Sequence, residues 1–355
     1  MNRPRRKCAG PIVPVVLKTP VVTQTPGVTK TTLLSLPKEL IDIIFSHLSL
    51  VDRYSLMHVS KEYNKLVLDP YFWQSVFAKD VRVNRFDAMI AQLSKWHHLR
   101  TIHLNYFNWV ISGRMIELVV KACPKLEDLK LTVSVHCRDN DMMTSLSKLT
   151  NLKKLIVESN LEAFAPSFTT PALKCWSGLR VLEFSQKWES PPKNHNLDYE
   201  FIDLDGIVKQ IALSHGDTLR TLKIDFPLRS RPVNRLTSAS LNLISRYCPH
   251  LESLWLQTVA CKNESIMCLR QLSLLESLTI NIDQGITFSG LGNMLGIADG
   301  KTESVFRKLK KFYVVLDVVG ISKERKAAFD RLKKSANFEL WMKSDRAKCY
   351  RSPMR

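Results

Sequence analysis

Hydrophobic positions recur along this chain with two different periods. Between residues 36 and 48, LPKELIDIIFSHL, Leu40, Ile44 and Leu48 return every four residues and Ile43 and Phe45 widen the stripe. That is the spacing of one face of a helix. Pro37 suits a first helical position, and Glu39 complements the positive end of the helix dipole. Asp52 is expected to cap a second helix carrying Leu56 and Val59, and Ser60 a third carrying Tyr63, Leu66 and Val67. Asp69-Pro70 then breaks the run ahead of YFWQSVF. Three or four short helices in about 45 residues bury only a modest fraction of their surface. An apolar stripe wider than such a core needs calls for a partner.

Beyond about residue 85 the period changes. One frame recurs: Leu, two residues, an apolar residue, one residue, an apolar residue. It reads LRTIHL at 99, LEDLKL at 126, LKKLIV at 152, LRVLEF at 179, LRTLKI at 219, LESLWL at 251, LESLTI at 275 and LKKFYV at 309, at intervals of 24 to 40 residues. Side chains alternate along a strand, so each frame predicts a short strand with these apolar residues facing in. Helical stretches such as GRMIELVVKAC (113 to 123) and SASLNLISRYC (238 to 248) lie between the frames. A strand and a helix per unit cannot bury themselves alone. Stacked units form one continuous core with parallel strands along one side.

Composition changes this picture little. With 355 residues and 45% hydrophobic content the chain is long enough for a sizeable core. No run approaches the ~18 apolar residues of a membrane span, and the start carries no signal-peptide apolar segment. The expected location is therefore intracellular. Eight scattered cysteines without a CxxC pair suit reduced thiols better than a disulfide framework. The net charge of +19 is concentrated at the ends: residues 1–32 carry six bases and no acid, and residues 301–355 carry sixteen bases against six acids. Five prolines among Val, Thr and Lys in the first 32 residues predict a disordered arm. The basic ends are either solvated tails or a nuclear-import or nucleic-acid element.

The stretch LPKELIDIIFSHLSLVDRYSLMHVSKEYNKLVLDPYFW (36 to 73) resembles the F-box motif. Leu36, Pro37, Glu39, Leu40, Ile44, Leu48, Asp52, Val59, Lys61 and Trp73 match its pattern, with Ser60 standing where Cys is usual and Tyr63 where Trp is usual. The frames, with CPKLEDL (123 to 129) and CPHLESL (248 to 254), resemble leucine-rich repeats. The Asn or Cys expected after each frame survives as Asn160 but is replaced by Phe107 and Pro227 elsewhere, which predicts irregular loops. The expected fold is thus α/β: a small all-helical F-box followed by an irregular leucine-rich-repeat solenoid of about eight strand-helix repeats, with a parallel sheet on one side. The expected domains are a basic Pro-rich arm (1–32), the F-box (33–80), the repeats (81–345) and a basic tail (346–355).

The resemblance implies a substrate receptor of a Skp, cullin and F-box ubiquitin ligase. It implies docking on the Skp adaptor, and through it on a cullin, by Leu36, Pro37, Leu40, Ile44, Phe45 and Leu48, with Ile43 beside them; the alternative is that these residues only fill the helical core. The outward strand positions are the expected substrate face. Glu158, Glu183, Lys223, Trp255 and Tyr313 are the candidates, Trp255 foremost because aromatic anchors dominate interface energetics. Either it is a hot spot or a loop covers it. The two long intervals carry acids (Asp198, Glu200, Asp203, Asp205) and bases (Arg229, Arg231, Arg235), which either pair with each other or face a substrate.

Signals for catalysis are absent from the pattern. His97, His98, His103, His136, Cys137 and Cys123 form no metal-ligand spacing, and GLGNMLG (290 to 296) is one residue out of the dinucleotide fingerprint and reads as a turn and helix start. There is no phosphate-binding GKS or GKT loop, HExxH or GxSxG. No catalytic residue, metal or cofactor is expected, and the family's receptors contribute proximity. A second expectation is a nucleic-acid- or chromatin-associated repeat protein that uses its basic ends, with the F-box as an assembly module.

Overall fold

The computed structural model describes residues 33–79, 98–105, 113–133, 141–159, 173–185, 203–225, 236–282, 286–297, 306–316, 323–336 and 338–343. The expected arm and tail lie outside them. The chain divides into two units, residues 1–46 and 47–355.

In the first unit a single 3-10 turn, Leu33–Ser35, precedes α1, Lys38–Ser46. The carbonyl of Pro37 accepts from the amides of Leu40 and Ile41 at 3.1 and 3.2 Å, so Pro37 opens the helix where its missing N–H costs nothing. Glu39 occupies the first turn. The buried residues of α1 are Ile41 and Phe45.

The second unit opens with α2 (Leu50–Leu56), α3 (Lys61–Val67) and a 3-10 turn, Pro70–Trp73. Ser60 caps α3 as expected, accepting from the amide of Tyr63. Asp52 does not cap α2. Ser49 does, accepting from the Asp52 amide at 3.2 Å while its hydroxyl donates to the Asp52 carboxylate at 2.6 Å. The cap had to precede the apolar pair Leu50–Val51, and only Ser49 offers an oxygen there. Trp73 is fully buried and its indole N–H donates to the carbonyl of Val67. Arg53 donates to the carbonyls of Leu48 and Phe72 and lies over the Trp73 ring, so the end of the helical segment is fixed by one cation and one indole.

All eight expected strands form: β2 (Thr101–Asn105), β3 (Asp128–Val133), β4 (Lys154–Ser159), β5 (Val181–Ser185), β6 (Thr221–Asp225), β8 (Ser253–Ala260), β9 (Ser277–Ile282) and β10 (Lys311–Leu316). Three more join them: β1 (Ser75–Lys79), the two-residue β7 (Leu236–Thr237) and β11 (Glu339–Lys343). The sheet is parallel throughout, in the order β1-β2-β3-β4-β5-β6-β8-β9-β10-β11, with β7 beside β8. Every apolar position of every frame is buried, from Leu99, Ile102 and Leu104 to Leu309, Phe312 and Val314. The second frame position starts each ladder: the amide of Glu127 donates to the Arg100 carbonyl, that of Lys153 to Glu127 and that of Arg180 to Lys153. Side chains at the same position pair across strands, Arg100 and Lys153 with Glu127, Arg220 with Glu252, and Lys310 with Glu276.

Helices between the strands close the other side of the core: α4 (Gly113–Ala122), α5 (Asp141–Leu146), α6 (Leu204–His215), α7 (Ser238–Tyr247), α8 (Asn263–Ile266), α9 (Phe288–Leu295) and α10 (Lys323–Ser335). Two side chains staple successive helices together. Asp205, in the first turn of α6, accepts from the amide of Thr237 at 2.9 Å, from its hydroxyl at 2.6 Å, and from the hydroxyl of Ser240. Thr237 is itself the N-cap of α7. Asn263, first in α8, does the same for the N-cap of α9, accepting from the Thr287 amide at 2.9 Å and donating to its hydroxyl at 3.1 Å. GLGNMLG is therefore helix and not only its start: Gly290 leaves room for Asn263, whose carbonyl oxygen would lie 2.0 Å from an added Cβ, and Gly296 ends α9 at φ 76°. Among the described residues no helix is long and apolar enough to cross a membrane.

Candidate partner-docking surfaces

The apolar stripe of α1 splits. Ile41 and Phe45, four residues apart, are buried, whereas Leu40, Ile43 and Ile44 are 47%, 57% and 37% exposed. Pro37 is exposed, and Leu36 and Leu48 are half-buried. Positions 37, 40, 43 and 44 share one side of the helix at three- and four-residue spacing. An unburied aliphatic row of this kind is a candidate docking face. Phe45, expected in that row, is a correction: it is fully buried, because the core takes the face one residue round the helix from Leu40 and Ile44. Ile43 takes its place outside. In the second unit, Val51 and Val59 are further exposed apolar residues.

The outward side of the sheet is the second surface. Its central row follows the register His103, Lys130, Ile156, Glu183, Lys223, Trp255, Thr279, Tyr313 and Trp341 on successive strands. Four of the candidate residues, Glu183, Lys223, Trp255 and Tyr313, thus fall in one line, and Glu158 lies two residues along β4 from that line. The early strands are self-paired. Lys130 Nζ reaches Glu158 at 2.7 Å, and Asp128 meets Lys154 at 3.1 Å and His103 at 3.4 Å. Burial alone would raise the Asp128 carboxyl, but the hydrogen bonds from His103 and Lys154 outweigh it and hold it below the usual carboxylate range.

The later strands are aromatic. Lys223 Nζ sits 4.5 Å from the centroid of the Trp255 ring and 3.7 Å from Asp225. Trp255 is half-buried, its ring capped by a lysine, with the buried Thr279 beside it in the row. Tyr313 stacks on Trp341, centroids 6.5 Å apart at 13°, and Lys333 Nζ lies 5.6 Å from the Trp341 centroid. Trp341, 53% exposed on the last strand, is the residue the frame search misses, because Asn337 stands where the leading Leu belongs. The alternation Phe338, Leu340, Met342 was the remaining signal.

Arg229 and Arg231 lie outside the described residues, as do Asp198, Glu200 and Arg235. Asp203 and Asp205 are structural: Asp203 caps α6 through the Gly206 amide at 2.8 Å, and Asp205 is the staple to α7. Among the described residues Cys123, Cys248, Cys261 and Cys268 are free thiols. Burial pushes Cys123, Cys248 and Cys261 up to about 12, which keeps them protonated and unreactive at neutral pH.

Comparison with known proteins adds the following. Residues 33–79 match the F-box-like family model. No curated protein matches the chain. Among solved structures, the chain is similar to the yeast Rad7 and Elc1 complex at 14% identity, covering 88% of this chain and 73% of that one with a TM-score of 0.44. It is also similar to a Bacteroides fragilis protein at 12% identity, covering 87% of this chain and 72% of that one with a TM-score of 0.32. Residues 33–79 are an F-box-like domain, followed in the chain by the leucine-rich strand-helix repeats of a parallel sheet.

Proposed function

We propose that this protein is the substrate-recognition subunit of a Skp, cullin and F-box ubiquitin ligase inside the cell. The row Pro37, Leu40, Ile43 and Ile44, with Leu36 ahead of it, docks on the Skp adaptor and through it on the cullin. The outward sheet face holds a protein substrate. The subunit contributes proximity, and ubiquitin transfer belongs to other subunits. The observation that carries this reading is an F-box-like sequence whose first helix leaves three large aliphatic side chains in water.

The test is co-purification of the full chain with its host's adaptor at moderate salt, beside a Leu40→Asp, Ile43→Asp variant. Both side chains are already exposed, so the variant retains its fold and melting temperature. Burying a large aliphatic side chain is worth about 1.5 to 3 kcal/mol from full exposure, and these two are about half exposed. The pair therefore contributes roughly 2 kcal/mol, and introduced charges facing an apolar partner add at least as much. The variant is expected to lose two decades or more of affinity. A parent chain that purifies folded and free of adaptor refutes the proposal.

A further inference from the structure

The sheet ends at β11, whose outer edge pairs with no strand among the described residues. The amide of Glu339 donates to the carbonyl of Lys310, on the β10 side. Backbone groups alternate along a strand, so positions 339, 341 and 343 turn theirs towards β10, and Leu340 and Met342 turn their N–H and C=O to the open edge. Such an edge is a template for another strand.

The sequence of β11, ELWMK, complements its own reverse. Two copies laid antiparallel about Trp341 bring Leu340 opposite Met342, and each such pair exchanges both of its edge N–H···O bonds. Trp341 falls opposite Trp341, at a pair without backbone hydrogen bonds, where side chains approach most closely and aromatic rings interact. Glu339 falls opposite Lys343 on both sides of the dyad, and opposite charges stabilise such a pair. Glu339 and Trp341 are exposed and so available to it. Leu340 is buried and Met342 half-buried, and the same pair from a second copy continues the core that stops at the last strand.

The other free edge of the sheet is a poorer occupant. In the register of the sheet β1, SVFAK, sets Lys79 beside Lys343, and one copy's β1 on the next copy's β11 gives an open series instead of a closed pair. Charge limits the closed pair too. α10, ahead of β11, carries six bases against two acids, and the chain carries +19. Two five-residue strands also make a small interface, so the dimer is weak and is favoured by salt.

We propose that two copies of the chain pair antiparallel through β11, closing the open end of each stack and setting the two outward sheet faces side by side on one surface.

The experiment is sedimentation equilibrium of the purified full chain from about 1 μM to about 1 mM. Salt is set at about 0.3 M, where the Debye length falls to roughly 6 Å, so overall repulsion is screened while cross-strand neighbours still interact. Beside the parent run Glu339→Lys, Lys343→Glu and an equimolar mixture of the two variants. The parent is expected to show a reversible monomer–dimer equilibrium. Each variant alone sets like charges opposite each other on both sides of the dyad, and its dimer is expected to be about tenfold weaker. In the mixture Lys meets Glu at both places, and a heterodimer of about parental strength is expected. Rescue by mixing also excludes misfolding, since a misfolded variant is not restored by its partner. A parent that stays monomeric, a parent that grows past the dimer, single variants that dimerise like the parent, or a mixture no better than either variant each overturns the proposal.

Discussion

Replacing Asp205 with alanine tests how the repeats hold their register. Its carboxylate accepts three hydrogen bonds from the next repeat, two from Thr237 and one from Ser240. Hydrogen bonds to charged groups contribute about 1.5 to 3 kcal/mol each, and a buried donor left without its partner costs about 1 to 3 kcal/mol. Ser240 is completely buried, so water does not replace the lost acceptor there, whereas the more exposed Thr237 recovers part of its bonding from water. The net cost is about 3 kcal/mol once the relieved desolvation of the carboxylate is set against it. Asn263→Ala removes the equivalent staple at α9, which is uncharged and solvent-exposed, and costs about 1 kcal/mol. The assay is urea unfolding of the full chain followed by circular dichroism. Loss of nearest-neighbour coupling in a repeat stack lowers both the midpoint and the apparent slope, because segments on either side of the break unfold separately. An Asp205→Ala midpoint equal to that of the parent, or a loss no larger than that of Asn263→Ala, refutes the argument.

Gly290→Ala places a Cβ 2.0 Å from the Asn263 oxygen and breaks the second staple, so it is expected to destabilise by about 2 kcal/mol in the same assay, although alanine is the better helix former. His215 is buried and its ring nitrogens make no well-formed hydrogen bond among the described residues; burial lowers its pKa, and only the backbone at Leu173 and Trp176 partly offsets this. The unfolded chain therefore binds the proton more readily, and the stability His215 confers is present above about pH 6.5 and falls away as pH drops through its lowered folded value; His215→Gln is expected to flatten the urea midpoint between about pH 5.5 and 7.5. Glu127→Gln removes two exposed ion pairs, with Arg100 and Lys153, and is expected to change stability by less than about 1 kcal/mol, less still in high salt, measured as a melting temperature.

The sheet was legible because its rule is repeated. A Leu followed at the third and fifth places by apolar residues is a weak signal once and a strong one eight times, and burial follows it at every frame. The rule fails at the ends of the stack. At β11 the leading position is Asn337, and at β1 it is Trp73, which the sequence assigns to the F-box motif. The face of α1 was half legible: periodicity marks an apolar stripe but does not decide which edge of it turns inward, and Phe45 went in while Ile43 stayed out. The staples were invisible, since an acid in a helix's first turn is equally a dipole partner, and only the neighbouring repeat tells Asp205 from Asp52.

The two ends of the sheet explain each other. A stack of repeats exposes its core wherever the stacking stops, so it needs a cap at each end. At the amino-terminal end the cap is the close of the helical segment. Val76 and Ala78 pair with Ile102 and Leu104, and Trp73 precedes β1 by the same two residues by which Leu99 precedes β2. The indole therefore occupies a repeat's leading position while its N–H is bound to α3 and its ring lies under Arg53. Trp73→Leu, which satisfies the repeat frame, is on this argument not conservative, because it abandons the carbonyl of Val67 and the cation at once. At the other end the last strand presents Trp341 more than half exposed. A buried tryptophan closes one end of the stack, and an exposed one stands on the last strand at the other.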